Sequence, residues 1–270
     1  MSIYTLMPLH GALGLAVIGI DLGAPIDAET GGNLQRLLAR HLVLVFPDQS
    51  LTPEQCVAAA SVFGRPIRQY CLQQLMPGYP DILVWCHRGR HVIQTWRADQ
   101  MGDGQPAAAT ILYGAEIPSS GGGTSIANMC EAYWALPEEE RGRLETLRTV
   151  NHPEPERYGD RPDDVVKLRA PVFYPMVHTH PVSHERAVYF DPEKTLFIEG
   201  MTPEASKAYL ADLVSRLITP DIVYRHSWVK GDVLVIDDRV TLQRAHDGDE
   251  HGGNRVLWRI IVDGERPLSV

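Results

Sequence analysis

The chain has 270 residues, is 44% hydrophobic, carries a formal net charge of −9 and has a pI near 5.6, which suits one domain with a sizeable core. An acidic balance argues against sequence-independent nucleic-acid binding, which needs a basic face. No apolar run reaches the length of a membrane span, the opening MSIYTLMPLHG lacks the charged and apolar regions of a signal peptide, and Cys56, Cys71, Cys86 and Cys130 lack CxxC spacing, so they read as thiols of a cytoplasmic protein.

In chain order, Leu13–Leu22 reads as a strand, Asp27–His41 as a helix with apolar residues at Leu34, Leu37 and Leu38, and Leu42–Phe46 as a buried strand. Thr52-Pro-Glu-Gln55 is a helix start with a capping box, and that helix ends near Gly64. Asp81–Cys86, Ala107–Ile117 and Thr124–Asn128 read as strands, the last two joined by the Ser/Gly-rich turn 119–123. Asn151–Lys167 looks like a long surface loop, the kind that can cover a barrel mouth. Thr202-Pro203 opens a second capped helix carrying Tyr209, Leu210, Leu213, Val214 and Leu217. Short strands dominate to the end. There is no internal repeat or linker, so 1–270 reads as a single α+β domain with an antiparallel sandwich or barrel.

The tail from Gly231 to Pro267 organises the rest. Two β-rich runs, Val233–Ile236 and Val256–Val262, flank a polar loop. Arg255 and Arg259 sit four apart on the second run, and strand periodicity puts them on one face. Two guanidiniums on one strand suggest an anion pocket. The alternative is a pair of salt-bridged surface arginines. His178 and His180 also share a strand face, but ordinary strand histidines are the favoured reading, with nothing in the spacing demanding a third ligand such as Glu185. His87 and His91 read as loop residues. His246 and His251 lie in the polar loop of the tail.

Four runs, in order, resemble the TauD/TfdA family of iron- and 2-oxoglutarate-dependent dioxygenases. Trp96-Arg97-Ala98-Asp99 is similar to the family's Trp-His-Thr-Asp, and Gly122-Gly123-Thr124 to its Gly-Gly-Asp-Thr turn. Residues Ile236 to Gln243 are similar to Trp-Asp-Asn-Arg-x-Thr-x-His, and Asn254 to Arg259 to Arg-Arg-x-x-His-Arg. The resemblance covers nearly the whole chain. It implies a double-stranded β-helix core, a jelly-roll or cupin-like fold, with flanking helices.

It also implies a site. Thr124 and Arg255 fall where the family holds the distal carboxylate of 2-oxoglutarate, and Arg259 where some members hold an acidic group of the substrate. The family's 2-His-1-carboxylate iron triad falls on Arg97, Asp99 and Gln243. Arginine has no lone pair to offer, so only Asp99 and Gln243 could ligate a metal, and weak Fe(II) binding is expected. Arg97 and Asp99, two apart on a strand, are expected to pair, the guanidinium taking the place of the metal charge. Three functions follow. The first is a diverged family enzyme that binds a small anionic metabolite, 2-oxoglutarate or a related oxoacid. The second is a working oxygenase with an unorthodox ligand set. The third is a non-catalytic binding or regulatory protein. Small anionic molecules are the expected partners, with no nucleic acid or membrane, and self-association is open.

Overall fold

The structure is a computed structural model describing residues 4–10, 13–69, 74–88, 95–101, 106–118, 122–152, 156–157, 166–167, 170–246 and 254–269. His91, His251 and Cys71 lie outside the described residues, as do most of the 119–123 turn and most of the 151–167 segment.

One large sheet carries the fold. Its eight strands run in the order Thr5–His10, Leu13–Ile18, Val43–Phe46, Val233–Asp237, Ala107–Glu116, Asn254–Asp263, Tyr79–Arg88, Leu75–Met76. Leu13–Ile18 pairs with Val43–Phe46 in parallel, and the other neighbours are antiparallel. Alternation along each strand gives the sheet two apolar faces. One face presents Leu44, Phe46, Ile111, Val233, Val235 and Ile260. It packs on α1 (Ala28–His41) through Leu34 and Leu38, and on α2 (Pro53–Ser61) through Cys56, Ala59 and Ala60.

The opposite face presents Val43, Val45, Leu112, Leu234, Ile236 and Leu257 into a second core. Three small antiparallel sheets complete that side: Val223–Ser227, Gly123–Asn128 and Thr241–His246; Val172–Pro175, Arg148–Asn151 and Thr195–Ile198; Arg186–Val188, Val177–Thr179 and Leu268–Ser269. Helices α3 (Met129–Trp134), α4 (Glu138–Glu145) and α5 (Pro203–Leu217) flank them. The result is the expected α+β jelly-roll core with flanking helices.

The expected helix starts are present. Thr52 accepts from the Gln55 backbone N–H while the Thr52 N–H donates to the Gln55 side chain at 2.8 Å. Thr202 accepts from the Ala205 N–H at 3.2 Å and opens α5. Several elements go beyond the sequence reading, among them the edge strand Thr5–His10, helices α3 and α4, and the strands Leu75–Met76, Arg148–Asn151, Val172–Pro175, Arg186–Val188 and Thr195–Ile198. Within the 151–167 segment, Glu156–Arg157 pairs with Val166–Lys167. Among the described residues no helix is long and apolar enough to cross a membrane.

Candidate functional site

Three strands of the large sheet, Asn254–Asp263, Tyr79–Arg88 and Ala107–Glu116, and two of the small sheet, Gly123–Asn128 and Thr241–His246, converge on the site. Arg255 and Arg259 do share a face, and both are buried, which removes the surface-pair alternative. Trp85 stands on the neighbouring strand, opposite Leu257, between the two arginines. The segment 95–99 joins the site through an isolated backbone bridge: the Arg97 N–H donates to the Gln243 carbonyl at 3.0 Å, and the Gln243 N–H donates to the Arg97 carbonyl at 2.9 Å. Arg97, Asp99 and Gln243 are thereby brought together, though 144 positions separate the last two.

Asp99 is buried, and its Oδ2 receives three donors. Arg259 approaches at 2.6 Å, the Gln243 amide at 2.7 Å and the Thr110 hydroxyl at 2.9 Å. The expected partner was Arg97, and this is corrected: the counter-ion comes from Arg259, reached across the sheet. Arg97 instead places its guanidinium 4.8 Å from the centre of the Trp85 ring, as does Arg259. The expected strand is absent: Arg97 makes only an isolated bridge and Asp99 falls in a turn, so the two share no strand face, and Arg259 on Asn254–Asp263 reaches the carboxylate instead.

A second carboxylate completes the cluster. Asp238 Oδ2 lies 2.6 Å from Thr110 Oγ, and Asp238 Oδ1 lies 3.4 Å from the Gln243 amide nitrogen. One hydroxyl carries one proton and can donate to only one of two carboxylates, so one acid must hold a proton. Burial pushes the Asp238 carboxyl well up, and the charge on Asp99 adds to it. Burial also opposes ionisation of Asp99, but Arg259, Arg97 and the bonds from Arg259 and Thr110 outweigh it and hold that carboxyl below the usual range. The proton therefore sits on Asp238, which donates to Thr110, which donates to Asp99.

Thr124 lies across a small cavity from this cluster and accepts from the Trp228 indole at 3.0 Å. Arg255 donates to the His246 carbonyl at 3.3 Å. Its guanidinium rests against Gly122, whose φ is +78°, and a Cβ there would stand 2.5 Å from the Arg255 NH1. The turn needs glycine for both its left-handed backbone and this close approach.

Asp191 steadies the segment that carries Arg97 and Asp99. It accepts from the Ala98 N–H at 2.9 Å and from the Glu193 and Lys194 N–H groups. Burial raises its carboxyl to about 6 against those bonds.

His87, expected in a loop, instead lies in the strand Tyr79–Arg88 with its backbone paired to Arg255, whereas His178 and His180 belong elsewhere. His180 accepts from the Val182 and Ser183 N–H groups at Nδ1 and donates from Nε2 to Asp237 at 3.1 Å. His178 bonds the Arg239 carbonyl and stacks on Tyr189. Asp237 is clamped by Arg239, with Nε at 2.8 Å and NH2 at 2.5 Å. Burial opposes its ionisation, yet Arg239 and His180 hold its carboxyl below the usual range. His246 pairs with Ser125 at 2.6 Å, and Glu185 accepts from Trp134. Among the described residues no group of three or more His, Cys, Asp or Glu is placed to hold a metal ion.

Sequence reasoning singled out six site residues and the structure gathers all of them. It gave no role to Asp238, Thr110 or Trp85. Only Asp238 left a signal, an acid where the resembled run has asparagine.

The chain is similar to known dioxygenases. The description "Taurine catabolism dioxygenase TauD, TfdA family" matches residues 5–261. An alpha-ketoglutarate-dependent 2,4-dichlorophenoxyacetate dioxygenase of Cupriavidus pinatubonensis is 29% identical over 264 residues, covering 90% of this chain and 92% of that protein. A taurine dioxygenase crystal structure from Burkholderia xenovorans superposes with a TM-score of 0.83 at 28% identity, covering 98% of this chain and 91% of the other. The structure of AAD-2 in complex with Mn(II) and N-oxalylglycine superposes with a TM-score of 0.78 at 26% identity, covering 99% and 100%.

Proposed function

This chain belongs to the TauD, TfdA family of dioxygenases, and we propose that it acts on a small anionic metabolite, held by Arg255 and Thr124, without the tightly bound iron of the usual triad. The observation that carries this reading is the state of Asp99. Its carboxylate is buried and already neutralised by Arg259 at 2.6 Å, with Gln243 and Thr110 filling the remaining contacts on the same oxygen.

The residues do not fit an Fe(II) triad. Arg97 has no lone pair, and its charge opposes a divalent cation. Gln243 turns its NH2, not its carbonyl, toward the carboxylates. Asp99 would have to leave a buried guanidinium, and an unpaired buried charge is costly. No reaction step through iron is therefore derived. What the chain's own residues supply is an anion seat on Arg255 and Thr124 within an apolar wall of Leu112, Leu257 and Trp85.

The names of the relatives favour a second reading, an oxygenase in which 2-oxoglutarate chelates iron beside Asp99 and Gln243. That reading requires the Gln243 amide to turn over and Asp99 to release Arg259. Anaerobic Fe(II) titration of the metal-stripped protein, with and without 2-oxoglutarate, separates the two. We expect no stoichiometric tight site and no succinate on aeration. A sub-micromolar iron site with succinate formation would establish the oxygenase instead. Arg97→His with Gln243→His is expected to create a metal site that the native chain lacks.

A further inference from the structure

Thr124 stands on the middle strand of its small sheet, its backbone paired with His226 on one side and Ala245 on the other. The residue is buried, and it lines the cavity shared with Arg255 and Gln243. The free space there is about 10 Å³, room for roughly one water. A single small group, such as one ligand oxygen, is what the hydroxyl can meet.

One side of that hydroxyl is already taken. The Trp228 indole N–H donates to its Oγ at 3.0 Å. A hydroxyl has one proton and two lone pairs, so an oxygen that accepts from an N–H must send its own proton in another direction. Among the described residues none accepts that proton.

Trp228 is itself held. It is buried, and the His226 ring meets it edge to face at 4.6 Å. The Tyr224 hydroxyl lies 3.0 Å from His226 Nδ1, and the Asp232 carboxylate lies 3.0 Å from Nε2, off the line of a hydrogen bond. Asp232 also accepts from the Val229 N–H at 3.0 Å, which fixes the turn after Trp228. Gly114 passes close to the indole, and a Cβ there would stand 3.3 Å from the ring. The indole has little room to turn its N–H away from Thr124.

We propose that Trp228 is a positioning residue for the anion seat: its indole N–H sets the Thr124 hydroxyl as a donor to the single anionic oxygen that enters the cavity. This inference rests on the anion-binding reading above and adds a residue to its machinery. The indole occupies one lone pair of Oγ and leaves the hydroxyl proton for the ligand. An incoming hydrogen bond also polarises the hydroxyl and strengthens the bond it donates. A seat prepared in this way favours a carboxylate oxygen over a group that can only donate, such as an ammonium.

The test measures binding of 2-oxoglutarate, and of formate as the smallest carboxylate, to the full-length protein by calorimetry at fixed ionic strength. Trp228→Phe removes the N–H and keeps an aromatic ring. Should that variant not fold, Trp228→3-benzothienylalanine exchanges only the N–H for sulfur. Either change is expected to weaken the anion threefold or more. Thr124→Val should weaken it tenfold or more, and Thr124→Ser, which keeps the hydroxyl, should retain most of the affinity. In the Thr124→Val background the Trp228 change should have no further effect. That non-additivity separates positioning from support of the fold, because a structural loss would repeat in either background. Unchanged affinity without the indole N–H, as for a hydroxyl that only holds a water, would overturn the positioning role, and so would an equal loss in both backgrounds; either result leaves the seat standing. No binding of either probe to the native chain would remove the seat and the positioning role together.

Discussion

Asp237 and Asp238 are consecutive, and both are fully buried in the structure, yet the fold treats them in opposite ways. Asp237 faces Arg239 and His180 and is saturated by cationic and N–H donors. Asp238 faces Thr110, the Gln243 amide and the charge of Asp99, and holds a proton. The strand ends at Asp237 and Asp238 opens the turn that follows, so adjacent acids enter different electrostatic surroundings. The first makes a local clamp, with its main partner two positions away. The second belongs to a cluster assembled from four separated segments. Burial alone does not set the charge of a carboxyl; the partners that the fold brings to it do.

That contrast can be broken at its strong end. Asp237→Asn leaves the Arg239 guanidinium largely buried and without its carboxylate. Breaking one side of a buried pair costs about 3–5 kcal/mol, and denaturant unfolding should register a loss of that size. A loss under about 1 kcal/mol would mean that Arg239 finds another acceptor.

Acid probes the same clamp more gently. His178 lies against the clamp, and burial lowers its pKa to about 4 from 6.5. Below pH 6.5 the unfolded chain takes up a proton there, whereas the folded chain does not until about pH 4. Stability should therefore fall as pH drops from 6.5 to 4, by about 3 kcal/mol from this group. His178→Gln should flatten that slope in urea titrations at pH 7, 6 and 5. An unchanged slope would assign the acid sensitivity to other groups.

The weak end gives the smallest effect. In Asp238→Asn, the amide NH2 can donate to Thr110 much as a protonated carboxyl does. Its cost should stay within about 1 kcal/mol near neutral pH, the range of a single exchanged hydrogen bond. Should this variant lose as much stability as Asp237→Asn, the proton has been assigned to the wrong acid.

Much of this was legible before any coordinates. The caps at Thr52 and Thr202 sat in local patterns that need no tertiary information. The spacing of Arg255 and Arg259 placed both on one buried face. Helix α4 could not be read the same way, because Leu144 is its single buried residue and it offers no periodicity. Helix α3 had an asparagine cap at Asn128, but six residues are too few to display a face. Within the site, Thr110 was hidden in an apolar run whose strand is buried on both sides. The pairing of Asp99 failed because two cations compete for it, and sequence separation does not rank their distances.

The strand Val43–Phe46 has a consequence for how the chain is made. One edge pairs with Leu13–Ile18, close by in sequence, and the other pairs with Val233–Asp237, near the far end. All four of its residues are buried. A ribosome adds about 5–20 residues per second, so this apolar strand waits roughly ten seconds or more for a partner that has not been synthesised. The large sheet cannot zip inward from the N-terminus, because two of its inner strands, Val233–Asp237 and Asn254–Asp263, are near the end of the chain. Long-range pairing of this kind folds slowly and leaves an open strand edge exposed meanwhile. Nascent chains truncated before Val233 should accordingly remain protease-sensitive across Leu13–Phe46, however long the wait.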